Sequence, residues 1–180
     1  MQIIVCVKQT PKSEEVRINP ETGCLVRTGT AGELNPCDLH ALEAAALLKE
    51  QTGARVCALT MGPLSAEEIL RESIARGADE VFLLSDASFA GADTYATAYT
   101  LAKGIEKIAP ADDALVICGL YSADGDTGSV GAQIAAWLGL PYACAVQKIV
   151  RGEGRSLTIT CATDGGSETV TLPRPCVIRS

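Results

Sequence analysis

Four times along this chain a short apolar run gives way to turn residues and then to a segment of helical period. Few folds accept that rhythm. Parallel strands cannot be joined by a hairpin and need a crossover, and the crossing helices must cover the faces of the sheet. The expected fold class is α/β, a doubly wound, mostly parallel sheet with helices on both faces. The interior agrees, because 47% of residues are hydrophobic but only 4% aromatic. A core of Ala, Val, Leu and Ile suits a sheet under helices better than a β-sandwich.

The first strand is Gln2 to Val7, followed by a turn-rich stretch in which EVRI and CLVR read as a small hairpin flap. Asn35 and Pro36 then read as N-cap and first helical residue, with Asp38 in the first turn and Leu39, Leu42 and Ala46 on one face as far as Gly53. A second strand from Arg55 to Met61 ends in Gly62-Pro63. Ser65 with Glu68 reads as a capping box for a helix that stops at Gly77. The third strand, Glu80 to Leu84, leads to a helix from about Thr94 to Ile108, with Tyr95, Ala98, Leu101, Ala102 and Ile105 facing inward. The fourth, Ala114 to Cys118, precedes a helix over about Thr127 to Leu138, and a fifth strand is expected near Ala143 to Val150.

Beyond Val150 the period becomes two. SLTITCAT and ETVTLPRPCVI, joined by Asp164-Gly165-Gly166, predict an antiparallel hairpin extending the sheet. The 180 residues show no internal repeat and no linker, so a single domain over 1–180 is expected.

A net charge of −7 without a Lys/Arg cluster disfavours nucleic acid as a partner. No apolar stretch approaches the roughly 20 residues that span a bilayer. Met1 leads straight into a strand and not into a signal sequence, so a cytoplasmic, soluble chain is the expectation. The eight cysteines are widely separated and contain no C-x-x-C pair. Metal ligation is therefore poorly supported, and most of the thiols, Cys6, Cys57 and Cys118 in apolar strand-like runs among them, are expected to be free and packed as small hydrophobes in a reducing compartment. His40 has no paired nucleophile and reads as surface packing. Trp137 reads as core, and Tyr121 stands apart because it follows a strand exit.

In such a sheet ligands sit at the carboxyl ends of the strands. Cys6, Met61, Gly119 and the loop from Asp124 to Val130 all fall there. The segment from Ala114 to Pro141 runs strand, acidic glycine-broken turn, helix. A helix N-terminus offers unpaired N–H groups and the positive end of a dipole, which together hold an anion. In this reading the N–H groups of Thr127, Gly128, Ser129 and Val130 hold phosphate oxygens, with Thr127 and Ser129 adding hydroxyls. DGDTG is also what an ordinary solvated turn uses.

Taken together, VCVKQTP, LNPCDLHALEAAALLKE, LTMGP, RESIARGADEVFLLSD and DGDTGSVGAQIAAWLGLP resemble the electron-transfer flavoprotein β subunit, over nearly the whole chain. The resemblance implies a nucleotide-binding domain that pairs with an α subunit as a heterodimer. Together they shuttle electrons between a dehydrogenase, acyl-CoA or related, and an acceptor. It implies AMP held structurally, or FAD. It also implies nucleotide contacts at Cys6, at Asn35, Pro36, Cys37 and Asp38, near Met61, and from Gly119 to Val130. Ser122 and the Cys6 backbone would line the adenosine side, and Asp124 and Asp126 would order the turn or reach a ribose hydroxyl. No acid or base catalyst is required, because a flavin brings its own redox reactivity. Tyr121 and Ser129 stand where the family commonly has Gln. Two other classes compete. A stand-alone adenine-nucleotide sensor of the universal-stress type would share the sheet, but its later glycine pattern is missing. A dehalogenase-type phosphatase would use Asp124-x-Asp126-Thr127 as a D-x-D-x-T nucleophile, but that motif belongs directly after the first strand.

Overall fold

The computed structural model describes residues 1–12, 17–18, 20, 25–26, 32–109 and 113–180. In chain order the elements are β1 (Gln2–Cys6), β2 (Gln9–Pro11), β3 (Arg17–Ile18), β4 (Leu25–Val26), β5 (Gly32–Leu34), α1 (Pro36–Thr52), β6 (Arg55–Met61), α2 (Glu67–Ala75), β7 (Glu80–Leu84), α3 (Thr94–Ile108), β8 (Ala114–Cys118), α4 (Val130–Leu138), β9 (Tyr142–Ala143), β10 (Val146–Arg151), β11 (Ser156–Thr163), β12 (Gly166–Pro173) and β13 (Cys176–Arg179).

Six strands form one parallel sheet in the order β7-β6-β1-β8-β13-β9. Successive side chains of each strand go to opposite faces, which splits the core in two. Ile3, Val5, Val56, Ala58, Leu115 and Ile117 pack with α1 and α2 on one side. Ile4, Leu59, Val116 and Val177 pack with α3 and α4 on the other. This is the doubly wound α/β arrangement expected from the alternation.

Local signals account for several ends. Gly53 closes α1 in the left-handed region, φ 67°, where a side chain would be strained. The Asp93 carboxylate opens α3 by accepting from the Ala96 N–H at 2.8 Å.

Other expectations are corrected. The Ser65–Glu68 capping box does not form: a 3-10 turn over Leu64–Ala66 precedes α2 without a side-chain cap, and Ser65 Oγ donates instead to Gln9 Oε1. The buried face of α1 is Asp38, Ala41, Leu42, Ala45 and Leu48, with Leu39 and Ala46 only half-buried. Its alanine-rich middle offers too little contrast to set the phase. Tyr95 and Trp137 are exposed and pack against each other with tilted rings, centroids 5.2 Å apart, and Tyr99 meets Trp137 edge-on at 4.8 Å. Aromatics at the rim of the α3–α4 pair satisfy helical period without entering the core.

The segment near Ala143 to Val150 is not one strand. β9 closes the edge of the main sheet, and β10 leaves it for a separate antiparallel sheet, β10-β11-β12. The hairpin of β11 and β12 is present, but it does not extend the main sheet. Leu157, Ile159 and Cys161 of β11 pack it onto the α1 side of the core. Cys176, Val177 and Ile178, expected to continue the hairpin, instead return as β13 in parallel between β8 and β9. The reason is burial: these three residues are wholly enclosed, as a central parallel strand requires, whereas β11 alternates.

Of the expected flap, β3 and β4 pair antiparallel. Glu15, Val16, Cys24 and Arg27 lie outside the described residues. No helix is long and apolar enough to cross a membrane among the described residues.

Candidate functional site

β1 and β8 lie side by side at the middle of the sheet, with connections that leave to opposite faces. The order reverses here, and a crevice outside the strand ends is the usual consequence. Cys6 and Cys118 end the two strands as register partners. The Cys6 thiol is held well above its ordinary pKa, first by a hydrogen bond with Cys118 and then by burial. It stays protonated and packs as an apolar group.

Across these ends comes the first turn of α1. Asp38 is buried and accepts the Lys8 N–H at Oδ2, 2.8 Å away. Burial pushes its carboxyl up to about 7, against hydrogen bonds from Asn35 and from the Lys8 and Gly119 backbone. Gly119 makes this approach feasible. A Cβ there would overlap Asp38 Oδ1 and lie 2.9 Å from the Cys37 carbonyl carbon.

Asn35 holds the neighbouring loop. Its backbone sits at the N-cap of α1 but its side chain makes no cap hydrogen bond, contrary to the capping role expected of it. Nδ2 donates to the Tyr121 carbonyl at 2.9 Å, and Oδ1 accepts the Ala123 N–H at 3.0 Å. Lys8 is the second tether, its Nζ reaching Ser122 Oγ at 3.2 Å and Asp124 Oδ1 at 2.5 Å. The Asp124 side chain is only 2% exposed, so this ion pair lies in the body of the loop.

Asn35→Ala would strip acceptor and donor from two backbone groups at once, a loss of about 1–3 kcal/mol. We expect a lower urea midpoint and faster exchange of the Ala123 amide. Unchanged exchange would mean the loop is held by other contacts.

After the turn, where the Gly125 and Asp126 N–H groups donate to the Ser122 carbonyl, the chain runs through Asp126 (φ 50°) and Gly128 (φ 57°) into α4. The helix begins at Val130 with Ser129 as N-cap, three residues later than the expected start at Thr127. Thr127, Gly128 and Ser129 donate to no backbone carbonyl among the described residues. The free N–H groups of the first turn therefore run from Ser129 to Ala132, with those of Thr127 and Gly128 just before them. Gly128 fits between the Leu120 carbonyl and the guanidinium of Arg179, whose Nη1 donates to the Gly128 carbonyl.

Thus Asn35, Cys37, Asp38, Gly119, Ser122 and Asp124 are joined in one contact network, Cys6 lies beside it as the register partner of Cys118, and Gly128, Ser129 and Val130 border it. Asp126 and Thr127 are exposed on the outer turn, and Pro36 is exposed at the start of α1. Met61 shares the strand-end edge and the apolar cluster of Cys6, but makes no polar contact with the loop among the described residues. Lys8 and Arg179 were not anticipated. Lys8 carried a signal, a lone cation directly past the first strand. Arg179 carried none, because its place depends on where β13 inserts.

Comparison with known proteins gives the family. The model of the electron transfer flavoprotein domain matches residues 22–179. The chain is 45% identical over 179 residues to the caffeyl-CoA reductase-Etf complex subunit CarD of Acetobacterium woodii, covering 99% of this chain and 67% of that protein. It is 44% identical over 178 residues to the electron transfer flavoprotein subunit beta of Clostridium acetobutylicum, with the same coverages. To the protein FixA of Azorhizobium caulinodans it is 43% identical over 182 residues, 99% of this chain and 65% of the other. The chain thus spans about two thirds of the length of these relatives. With one domain model covering most of the chain and its similarity to β subunits running from end to end, the chain belongs to the electron-transfer flavoprotein β-subunit family.

Proposed function

We propose that this chain binds an adenine nucleotide, AMP or FAD, at the C-terminal ends of β1 and β8. Paired with an α subunit as a heterodimer, it carries electrons between a dehydrogenase, acyl-CoA or related, and an acceptor in the cytoplasm. The observation that supports this most is the loop from Leu120 to Ser129. It is tethered at its start by Asn35 and Lys8 and delivers unpaired N–H groups to the start of α4. Such an arrangement holds an anionic group without needing a metal.

The N–H groups of Thr127, Gly128, Ser129 and Val130 receive the phosphate, joined by those of Gly131 and Ala132 because the helix starts at Val130. Thr127 and Ser129 add hydroxyls. Ser122 and the Cys6 backbone line the adenosine side, with the first turn of α1 from Asn35 to Asp38 beside them. Exposed Asp126 is free to meet a ribose hydroxyl. A bound flavin supplies the redox chemistry, and these residues bind and orient it. One relative's name places it in a complex with a CoA-ester reductase, which supports a partner of that class.

The test is to denature the purified protein and identify what it releases. About one AMP or FAD per chain is expected, and a flavin absorption spectrum separates electron carriage from plain adenylate binding. A chain that neither releases nor takes up either compound would overturn the proposal.

A further inference from the structure

The nucleotide site is poor in positive charge. The chain carries a net charge of −7, Asp124 and Asp126 lie in the loop itself, and the Lys8 ammonium is taken by Asp124 and Ser122. Arg179 is placed differently. It ends β13, paired in register with Cys118 at the end of β8, so its backbone sits at the strand edge where the loop begins. Its guanidinium reaches the far end of that loop, where Nη1 donates to the Gly128 carbonyl.

The rest of the group is unused. Nε is buried with no hydrogen-bond partner, Nη2 makes no hydrogen bond, and Arg179 forms no ion pair among the described residues. A guanidinium offers two parallel N–H bonds from the Nε and Nη2 edge, the arrangement that matches a phosphate. With Nη1 committed to Gly128, that is the edge left over. A buried donor without an acceptor is unfavourable, so a small rotation of the guanidinium that brings this edge to a phosphate oxygen is favoured. Gly128 permits the approach, since a Cβ there would lie 2.5 Å from Nη1.

We propose that Arg179 is a specificity-determining residue that makes the site prefer ligands with two linked phosphates, nucleoside diphosphates and dinucleotides, over nucleoside monophosphates. This rests on the nucleotide reading above. One phosphate is satisfied by the N–H groups at the start of α4. A second adds negative charge beside two aspartates, and the free edge of Arg179 balances it.

The experiment is calorimetric titration of AMP and of ADP into the chain freed of endogenous nucleotide, as wild type, Arg179→Lys and Arg179→Met. The wild type should bind ADP at least tenfold tighter than AMP. R179M should lose at least tenfold more affinity for ADP than for AMP, so the ratio falls towards one; a loss shared by both ligands reports only the anchor through Gly128. R179K, keeping the charge without the fork, should retain part of the preference. If R179M does not fold, the ADP-to-AMP ratio of R179K against wild type carries the test. A wild type that binds AMP as tightly as ADP overturns the inference. So does an equal loss of both ligands in the variants, which would mean that Arg179 only anchors the loop through Gly128. If the wild type binds neither compound, the nucleotide reading itself falls.

Discussion

Gly119→Ala is expected to lower the stability of the chain by about 3 kcal/mol, the upper part of the range for a side chain forced into filled space, and, under the proposed function, to abolish nucleotide retention. The added methyl would overlap Asp38 Oδ1 and press on backbone, 2.9 Å from the Cys37 carbonyl carbon and 3.0 Å from the Asp38 nitrogen. A flexible side chain could swing away, but the first turn of α1 cannot. It is tied to the segment that follows β1 through the Lys8 N–H and to the loop through Asn35. Relief therefore requires α1 to lift from the strand ends, which displaces Asn35 and the loop it holds. Gly125→Ala is the control, because a Cβ there meets only Ser122 Oγ at 3.4 Å. It should change stability by less than about 0.5 kcal/mol. Urea unfolding of both variants checks the pair, and a G119A midpoint close to that of G125A would show that the contact yields easily.

The second large effect is a pH dependence centred on Asp38. Burial raises its carboxyl from 3.8 to about 7 in the folded chain. Between those values the folded state holds a proton that the unfolded state has lost, so this group's contribution to stability falls as pH rises. Below 3.8 it is neutral in both states and contributes nothing to the slope. Above 7 it is ionised in both, and the folded state bears the full cost of the buried charge, about 4 kcal/mol for a shift of this size. Asp38→Asn keeps the shape and the acceptor oxygen for the Lys8 N–H but removes the charge. Relative to wild type, D38N should be near neutral at pH 4 and more stable by several kcal/mol at pH 8. Measuring the difference between the two proteins cancels the other carboxylates. An equal difference at both pH values would mean that the Asp38 carboxyl titrates normally.

Much of the fold was legible in the residues. β6, β7, α3 and β8 run between the residues that periodicity and turn chemistry indicate, because their ends carry local signals: Gly62-Pro63 after Met61, and the cap Asp93 before Thr94. The candidate site was legible as a place, the strand ends and the loop into α4, and family resemblance named most of the residues found there. What each residue does was less legible. Asn35 reads as a helix cap from its neighbours, yet its side chain bonds a loop 86 residues away. Ser65 reads as a cap and bonds Gln9 instead. A polar side chain takes the best-placed partner in three dimensions, and local spacing cannot rank partners that the chain brings back from afar.

By itself, then, the order of residues determined the alternation of strand and helix, the two-faced sheet, the position of the glycine-rich turn and the family. These depend on contacts within one element or between its neighbours, where burial periodicity and backbone preference act directly. Tertiary structure alone decided that β13 slips between β8 and β9, that Arg179 thereby meets Gly128 across 51 residues, and that Trp137 stays at the surface with two tyrosines. Strand order and helix-rim exposure follow from how whole elements share one buried volume. An apolar run states that it will be buried, but not beside which neighbour.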